Sequence, residues 1–441
     1  MAVLHASVQD AANQAEPLTA EAAYARSCRA ALADSEIGTV GLEIETHLVD
    51  LGSVAERVPW SRVEPIRDIV GTVAARSAVT LEPGGQVELS GSPAPHIATA
   101  VAEMRHDVVS VRLALDGLGL GLVHAGADPL RPSCRVNPRP RYRAMEQHYA
   151  ATGMAAAGAV MMNSTAALQV NLQAGPQHGW SERVARAHRL GPTLVALSAS
   201  SPWLHGRDTG WKSARQRAWA GLDARACGPV PGCLPAASAS GPAGGGASDP
   251  ADLSDPADAW ARYALRAPVL FVRADGGDVA AVGQSVPFEQ WAAGTVRLGG
   301  RLPTAADLDV HLTTLFPPVR MRGYLELRYL DMTAPRWWPA IAAVVTTLMD
   351  DPVAADLASD VTEPAALLWT RAARDGLGDP VLAASARRCL EIAAGRVPAE
   401  LVSAVADLAE LIDSGRCPGD LLAERIGEIG PEAAFEELAH A

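Results

Sequence analysis

The sequence predicts an α+β fold, in which a catalytic unit of strands and interspersed helices is followed by a helical C-terminal section. Residues 37–51 and 319–331 alternate apolar and polar side chains with the period of two that half-buried strands show. After about Trp338 the chain is rich in Ala and Leu, which favours helices to its end. Strands that lie before residue 331, with helices between and after them, indicate the α+β class.

Three sections are predicted along the chain. Residues 1–34 are expected to form a polar tail and a short helix, with Thr19 as its N-cap. Residues 35–350 are predicted to be the catalytic domain, and residues 351–441 the helical C-terminal section. Within the catalytic domain, residues 234–258 are rich in Pro, Gly, Ala and Ser, so a flexible loop is expected there.

Other local patterns predict further elements of the catalytic domain. Helices are expected over 96–118, from the spacing of its apolar residues, and over 181–200. The glycine-rich GLGLGLV after the first of these helices does not follow a strand, as a dinucleotide fingerprint would. It is interpreted as a helix stop that leads into a strand at Leu122–Ala125. A later strand is expected at Pro268–Val272.

Charge and composition exclude two classes of function. The formal net charge of the 441 residues is -13, whereas proteins that bind a nucleic-acid backbone usually present basic surfaces, so no nucleic-acid partner is expected. A small anion such as ATP needs only a local basic cluster. Lys212 is the only lysine, and Trp211 stands before it where a Walker A loop requires glycine, so the chain is not a P-loop NTPase.

The cysteines and the apolar runs indicate a cytoplasmic protein. Six cysteines are scattered without CxxC pairs, which favours reduced thiols; Cys227 and Cys233 are close in sequence, but a disulfide between them is not expected. The N-terminus lacks the pattern of a signal peptide. No apolar run reaches the roughly 20 residues that span a bilayer, so no membrane partner is expected.

Two acidic segments contain candidate functional carboxylates. In GLEIETHLVD, at 41–50, Glu43 and Glu45 lie two residues apart and therefore on one face of an otherwise apolar strand. In TLEPGGQVELSG, at 80–91, the PGG predicts the turn of a hairpin. The acidic and amide residues on that hairpin are Glu82, Gln86 and Glu88. For each segment taken alone, a solvated polar surface is the competing interpretation.

Two further segments add amides and arginines. In MMNSTAALQVNL, at 161–172, Gln169 and Asn171 share a strand face and could hydrogen-bond to a nucleotide or to metal-bound water. In VRMRGYLELRYLD, at 319–331, counting by two on a single strand places five polar residues on one face: Arg320, Arg322, Tyr324, Glu326 and Arg328. A salt-bridged surface would show the same pattern, with little contribution to stability.

The four segments together predict a site for metal-bound ATP. Carboxylates on separate strands that face one space offer the oxygen ligands that Mg²⁺ prefers, and Mg²⁺ is usually shared with phosphate oxygens. Arginines bind phosphates and carboxylates through paired hydrogen bonds.

The segments GLEIET, LEPGGQVELS, MMNSTAALQVNL and RMRGYLELRYLD, in this order and at these spacings, resemble the plant-type glutamate–cysteine ligases. The similarity extends from about residue 37 to 340 and points to the actinobacterial branch, which feeds ergothioneine synthesis. The resemblance implies a glutamine-synthetase-like fold, an antiparallel sheet curved into a half-barrel funnel and flanked by helices. It also implies that ATP, L-glutamate and L-cysteine give γ-glutamylcysteine, ADP and phosphate.

The resemblance assigns roles to individual residues. The carboxylates implied to hold Mg²⁺ are Glu43, Glu45, Glu82, Glu88 and Glu326. The residues expected to bind ATP are Gln169, Asn171 and Arg328, and the catalytic residues at the transferred phosphate are Glu326 and Arg328. The residues implied to bind the amino-acid substrates are Arg215, Arg320, Arg322 and Trp337, with Trp338 as the alternative for closing the glutamate pocket.

The expected partners are therefore small molecules: L-glutamate, L-cysteine and ATP, with Mg²⁺. The acyl phosphate intermediate must be shielded from water, so a lid is expected, with residues 205–260 as the candidate. Three alternatives stay open at this point. They are a ligase of the same fold with another amine acceptor, a phosphoryl transferase that stops at the phosphorylated substrate, and a non-catalytic homologue.

Overall fold

The computed structural model describes residues 16–233, 255–273 and 278–440. Over these residues the predicted α+β class is confirmed, because strands and helices are interspersed up to Asp331 and helices follow. The strands are β1 (Val40–Asp50), β2 (Ser77–Leu81), β3 (Val87–Gly91), β4 (Leu120–Val123), β5 (Ala167–Gln173), β6 (Trp203–Leu204), β7 (Arg207–Asp208), β8 (Phe271–Arg273), β9 (Val279–Ala281), β10 (Val319–Met321) and β11 (Tyr324–Asp331). The α-helices are Ala20–Ala31, Trp60–Val63, Ile66–Val73, Ile97–Asp116, Pro140–Ala151, Ala155–Ser164, Trp180–Ser198, Ala214–Ala220, Ala224–Cys227, Pro256–Arg266, Phe288–Ala292, Ala305–Leu312, Trp338–Asp350, Pro352–Thr362, Trp369–Asp375, Pro380–Ala394, Val402–Asp413, Pro418–Ile429 and Pro431–His440.

Seven of the described strands form one antiparallel sheet, in the order β10, β11, β5, β1, β3, β2, with β4 paired to the second half of β1. β1 is the central strand, because its first half pairs with β5 on one side and with β3 on the other. Along β1 the buried side chains of Leu42 and Ile44 alternate with the partly exposed Glu43 and Glu45. One face of the sheet is thus apolar, and the other carries polar groups.

Three long helices cover the apolar face of the sheet. The helices Ile97–Asp116, Trp180–Ser198 and Trp338–Asp350 contribute their buried side chains to the same continuous core as the apolar residues of β1, β3, β5 and β11. The first two helices match those predicted over 96–118 and 181–200. Since this core anchors one face of the sheet, the opposite face can hold charged groups at fixed positions.

The segment 319–331 is a hairpin of β10 and β11 and not the single strand that was predicted. Gly323 lies at its turn with φ of 80°, which glycine adopts without strain. Arg320 of β10 pairs with Glu326 of β11, and residues that are directly opposite in an antiparallel pair share a face. The two side chains therefore meet as expected, although they come from neighbouring strands.

The low-complexity segment predicted to be a loop lies mostly outside the described residues. Its last part needs correction, because Asp255 accepts a hydrogen bond from the N–H of Ala257 and caps the helix Pro256–Arg266. Pro256 is at the first helical position, where the missing N–H of proline costs nothing. The N-terminal helix agrees with the prediction, since the hydroxyl of Thr19 accepts from the N–H of Ala22 at 3.2 Å.

Two other expectations concern thiols and membranes. All six cysteines are free thiols, including Cys227 and Cys233, and burial raises the pKa of Cys233 to about 12. None of the described helices is both long and apolar enough to cross a membrane.

Buried histidines are expected to make the fold sensitive to acid. Burial lowers the pKa values of His47, His124, His188 and His311 to about 4, whereas an unfolded histidine titrates near about 6.5. Between these two values the unfolded chain binds more protons, so the native state loses stability as the pH falls through this window. His188→Leu removes one such group, and its melting temperature should fall less steeply with pH than that of the wild type. Parallel pH profiles from thermal melts would contradict this prediction.

Candidate active site

The register of β1 organises the polar face of the sheet. Glu43 lies opposite Gln169 of β5 and Ser90 of β3, while Glu45 lies opposite Glu88 of β3. Opposite residues share a face, and so do residues two apart on one strand. The register therefore collects three carboxylates and one amide on the same side of the sheet.

A second row of polar residues adjoins the first. Glu326 of β11 lies opposite both Asn171 of β5 and Arg320 of β10. Asn171 is two residues from Gln169 on β5, so the two rows share one face. The acidic residues of β1 and β3 and the arginines of β10 and β11 thus lie on the same side of the sheet.

A cavity of about 290 Å³ opens above this face. The predicted site residues that line it are Glu43, Glu45, Glu82, Glu88, Gln169, Arg215, Arg320, Arg322 and Arg328. The structure thus brings together most of the residues that the four sequence segments singled out. Asn171, Glu326 and Trp337 do not line this cavity.

Glu326 lies behind the arginines and is their shared buried counter-ion. Its carboxylate is fully buried and accepts hydrogen bonds from Nε and Nη2 of Arg320, the latter at 2.8 Å. Arg328 and Arg322 approach it to 3.3 and 3.6 Å. Burial by itself would raise the pKa of Glu326, but the charges of Arg320 and Arg328 lower it to about 2. In this structure its oxygens are therefore engaged by arginines, which differs from the metal-binding role expected for it.

No described arginine forms an ion pair with the carboxylates on the other side of the cavity. Burial, reinforced by the charges of Glu88 and Glu326, raises the pKa of Glu43 to about 8. Burial and the charge of Glu88 raise the pKa of Glu82 as well. Within the described ranges, no three His, Cys, Asp or Glu side chains form a group that could hold a metal ion as they stand.

Two amides of β5 tie the acidic and the basic sides together. The oxygen of Gln169 accepts from Nη1 of Arg328 at 2.7 Å, and its Nε2 donates to Glu45 at 3.0 Å. Asn171 donates to Glu43 at 3.0 Å, while its buried Oδ1 has no hydrogen-bond partner among the described residues. Gln169 thus fixes the position of Arg328 relative to β1.

Arg215 reaches the cavity from a separate helix, Ala214–Ala220. It is only 2% exposed, and its Nη2 donates to the carbonyl of Arg328 at 2.6 Å. Its Nη1 lies 3.8 Å from the buried carboxylate of Asp331, which also accepts from the hydroxyls of Ser201 and Ser213. Asp331 was not among the predicted site residues, although it is the last residue of the arginine-rich β11 and supports the position of Arg215.

Trp337 does not close the cavity, so this part of the prediction needs correction. The side chain of Trp337 lines a different cavity, together with His124 and Leu421, and the ring of Trp338 is buried in the core. The physical reason is that the chain turns away after β11 and enters the helix Trp338–Asp350, which packs on the apolar face. The aromatic residues that line the polar cavity are Tyr142, Trp219 and Phe316.

Several lining residues carried no signal in the sequence. Arg141 lies in the helix Pro140–Ala151 and donates to the hydroxyl of Thr313 at 2.8 Å, a contact between segments that no local pattern reveals. The rings of Trp219 and Phe316 meet edge to face, with centroids 5.7 Å apart, and both also border an apolar recess of about 140 Å³ that adjoins Arg328. Gln86 of the predicted hairpin also lines the cavity, and its buried Oε1 has no hydrogen-bond partner among the described residues.

The antiparallel sheet, with its polar cavity on one face, defines a glutamine-synthetase-like ligase fold. The chain superposes on a 2.0 Å crystal structure of a glutamate–cysteine ligase from Francisella tularensis in complex with AMP, with a TM-score of 0.53. The sequences are 14% identical, and the match covers 92% of this chain and 89% of that one. At 14% identity, this structural similarity establishes the shared fold alone.

Sequence comparison identifies the family. The family model described as glutamate–cysteine ligase family 2 matches residues 39–440. The glutamate–cysteine ligase EgtA of Mycobacterium tuberculosis is 48% identical over 410 residues, which are 93% of this chain and 91% of that protein. EgtA of Mycolicibacterium smegmatis is also 48% identical, and the match covers 96% of this chain and 95% of that protein. The chloroplastic glutamate–cysteine ligase of Brassica juncea is 30% identical, and the match covers 75% of this chain and 60% of that protein. The chain belongs to glutamate–cysteine ligase family 2, and the resemblance seen in the four segments is confirmed.

Removing the charge of Glu326 is expected to destabilise the fold. Glu326→Gln preserves the size of the side chain but leaves Arg320 and Arg328 without their buried counter-ion. Removing one partner of a buried ion pair costs about 3–5 kcal/mol, so the variant should fold with a clearly lower stability in urea titrations. The matched control is Asp309→Asn, because Asp309 forms an exposed pair with Arg26 and such pairs contribute about 0–1 kcal/mol. Equal losses in the two variants would rule out the proposed role of Glu326 as a buried counter-ion.

Proposed function

We propose that this protein is an ATP- and Mg²⁺-dependent ligase that joins the γ-carboxylate of L-glutamate to the amine of L-cysteine. The observation that carries the proposal is the single cavity in which carboxylates of β1 and β3 face arginines of β10 and β11. The relatives named EgtA, which match over more than nine-tenths of this chain, support this reaction and the use of its product in ergothioneine synthesis. A cytoplasmic location stays a prediction from the sequence.

The acidic side of the cavity offers the donor atoms that Mg²⁺ prefers, although its carboxylates would have to converge to hold the ion. Glu43, Glu45, Glu82 and Glu88 offer carboxylate oxygens, which this ion prefers over nitrogen or sulfur. Burial, with the charge of Glu88 in second place, raises the pKa of Glu43 and Glu82, and a bound divalent cation would favour the charged form of both carboxylates. When bound, Mg²⁺ would shield the negative charge of the ATP phosphates.

The basic side of the cavity fits the anionic groups of the substrates. Arg328 is held by Gln169 and Glu326 beside the acidic residues, which suits it to stabilise the phosphoryl group during transfer. Arg320 is buried against Glu326, whereas the side chain of Arg322 is 43% exposed. We assign Arg320, Arg322 and Arg215 to the carboxylates of glutamate, because guanidinium groups bind carboxylates through paired hydrogen bonds.

The reaction needs no protein nucleophile. An oxygen of the γ-carboxylate attacks the terminal phosphorus of ATP, the bond to ADP breaks, and an acyl phosphate forms. The amine of cysteine then attacks the acyl carbon, loses a proton, and phosphate leaves. Because water would hydrolyse the acyl phosphate, the apolar side chains of Met161, Trp219 and Phe316 around the cavity serve to keep the reacting groups dry. The lid predicted within 205–260 stays a prediction, since much of it lies outside the described residues.

The first test is ADP release with ATP, Mg²⁺ and L-glutamate, in the presence and absence of L-cysteine. We expect ADP release that depends on cysteine, abolition by a chelator with recovery on adding Mg²⁺, and γ-glutamylcysteine as the product by mass spectrometry. If ADP release depended on a different amine, that amine would be the acceptor in place of cysteine. Release without any amine would favour a phosphoryl transferase, and no release with any amino-acid pair would favour a non-catalytic homologue.

Glu88→Gln is expected to abolish most of the turnover without unfolding the protein. The change removes a charge from the acidic side of the cavity but preserves the shape of the side chain. Residues that only support metal ligands already contribute about 10–100-fold, so a loss of at least that size in ADP release is expected. The matched control is Glu103→Gln on the helix Ile97–Asp116, away from the cavity. Equal activity in the two variants would show that Glu88 has no role in turnover.

A further inference from the structure

A second cavity lies between the last helices of the chain and the end of β4. It measures about 150 Å³ and has no lining residue in common with the polar cavity. The helices Pro418–Ile429 and Pro431–His440 supply most of its wall, and the ring of Trp337 supplies another part. The side chains of Leu421, Leu422 and Leu438 make its lining mainly apolar.

One buried polar group of this cavity has no partner. His124 lines the cavity, is only 7% exposed, and its buried Nε2 has no hydrogen-bond partner among the described residues. Burial lowers its pKa to about 4, so the ring is neutral near pH 7. A buried polar group without a partner destabilises the structure, and a ligand with a hydrogen-bonding group would relieve this cost.

The charges at this cavity balance each other. Arg425 and Glu437 both border it, and they pair with one another at 2.7 to 2.8 Å. A charged ligand would have to break this pair or remain unpaired. An apolar wall, a neutral imidazole and a closed ion pair therefore favour a neutral ligand.

We propose that this cavity binds a small neutral aromatic molecule with one hydrogen-bonding group directed at His124, and that its occupancy influences the active site. The volume suits a ligand of this kind, because an engineered apolar cavity of about 150 Å³ binds benzene. The Trp337 ring offers a flat apolar surface for the aromatic part.

A short chain of contacts joins this cavity to the polar one. Ser200 lines the second cavity, and its N–H donates to the carboxylate of Asp331 at 3.0 Å. Asp331 in turn lies 3.8 Å from Arg215, which lines the polar cavity. A ligand that shifts Ser200 should therefore change the position of Arg215 and the affinity for the substrate carboxylate. This second part rests on the proposed function.

Binding is tested first, without turnover, by titrating the full chain with indole in calorimetry and thermal melts. We expect saturable binding, and about two- to tenfold weaker binding of indene, which has the same shape but lacks the N–H, as for the loss of one hydrogen bond. His124→Leu should remove this preference. Leu438→Trp should abolish binding by filling the cavity, while Leu357→Trp at an exposed position serves as the matched control and should bind normally. No saturable binding, or binding that Leu438→Trp leaves intact, would overturn the proposal.

The influence on the active site is tested by the KM for L-glutamate in ADP release, with and without saturating indole. We expect KM to change in the wild type and in Leu357→Trp, but not in Leu438→Trp. Saturable binding with an unchanged KM would overturn the coupling while the binding site stands. Absence of any ADP release would count against the proposed function, and the calorimetric result would still decide the binding site.

Discussion

The register of β1 against its neighbours is the constraint on which the rest of the site depends. A shift by one residue would turn Glu43 and Glu45 into the core and bring Leu42 and Ile44 to the cavity, because side chains in a strand alternate between faces. Burying two ionised carboxylates among apolar side chains costs far more free energy than the strand pairing contributes. The apolar core beneath the sheet thus fixes which residues face the substrates.

The same register divides the cavity into an acidic and a basic side. Glu43 and Glu45 on β1 and Glu88 on β3 form the acidic side, whereas Arg320 and Arg328 on β10 and β11 form the basic side. β5 lies between them and contributes amides, which can donate to carboxylates and accept from arginines at the same time. A metal-bound polyphosphate on the acidic side and an anionic amino acid on the basic side would therefore meet across this one strand.

Much of this arrangement could be predicted from the sequence, since alternation with a period of two is a local property. It identified the face of β1, the hairpin with Glu82 and Glu88, and the pair Gln169 and Asn171. The turn at Gly323 was missed because counting by two gives the same face for one strand or for two paired strands. The placement of Trp337 and of the aromatic lining depends on how distant segments pack. The periodicity of a local segment carries no information about such packing. The pattern placed three arginines on the face of Glu326, but it did not show that Glu326 is fully buried, because burial depends on how the strands pack in the folded sheet.

The buried charges explain how such a site can be ready before the substrates arrive. Arg320 is fixed by Glu326 and by the carbonyl of Leu315, and Arg328 by Gln169. Held in this way, the guanidinium groups need little reorganisation when negative charge moves onto the transferring phosphoryl group, and preorganised charges of this kind give the largest electrostatic benefit to a reaction. A buried ion pair contributes little net stability compared with apolar packing. The cost of burying Glu326 is therefore better explained by the positions it imposes on the arginines than by any gain in stability.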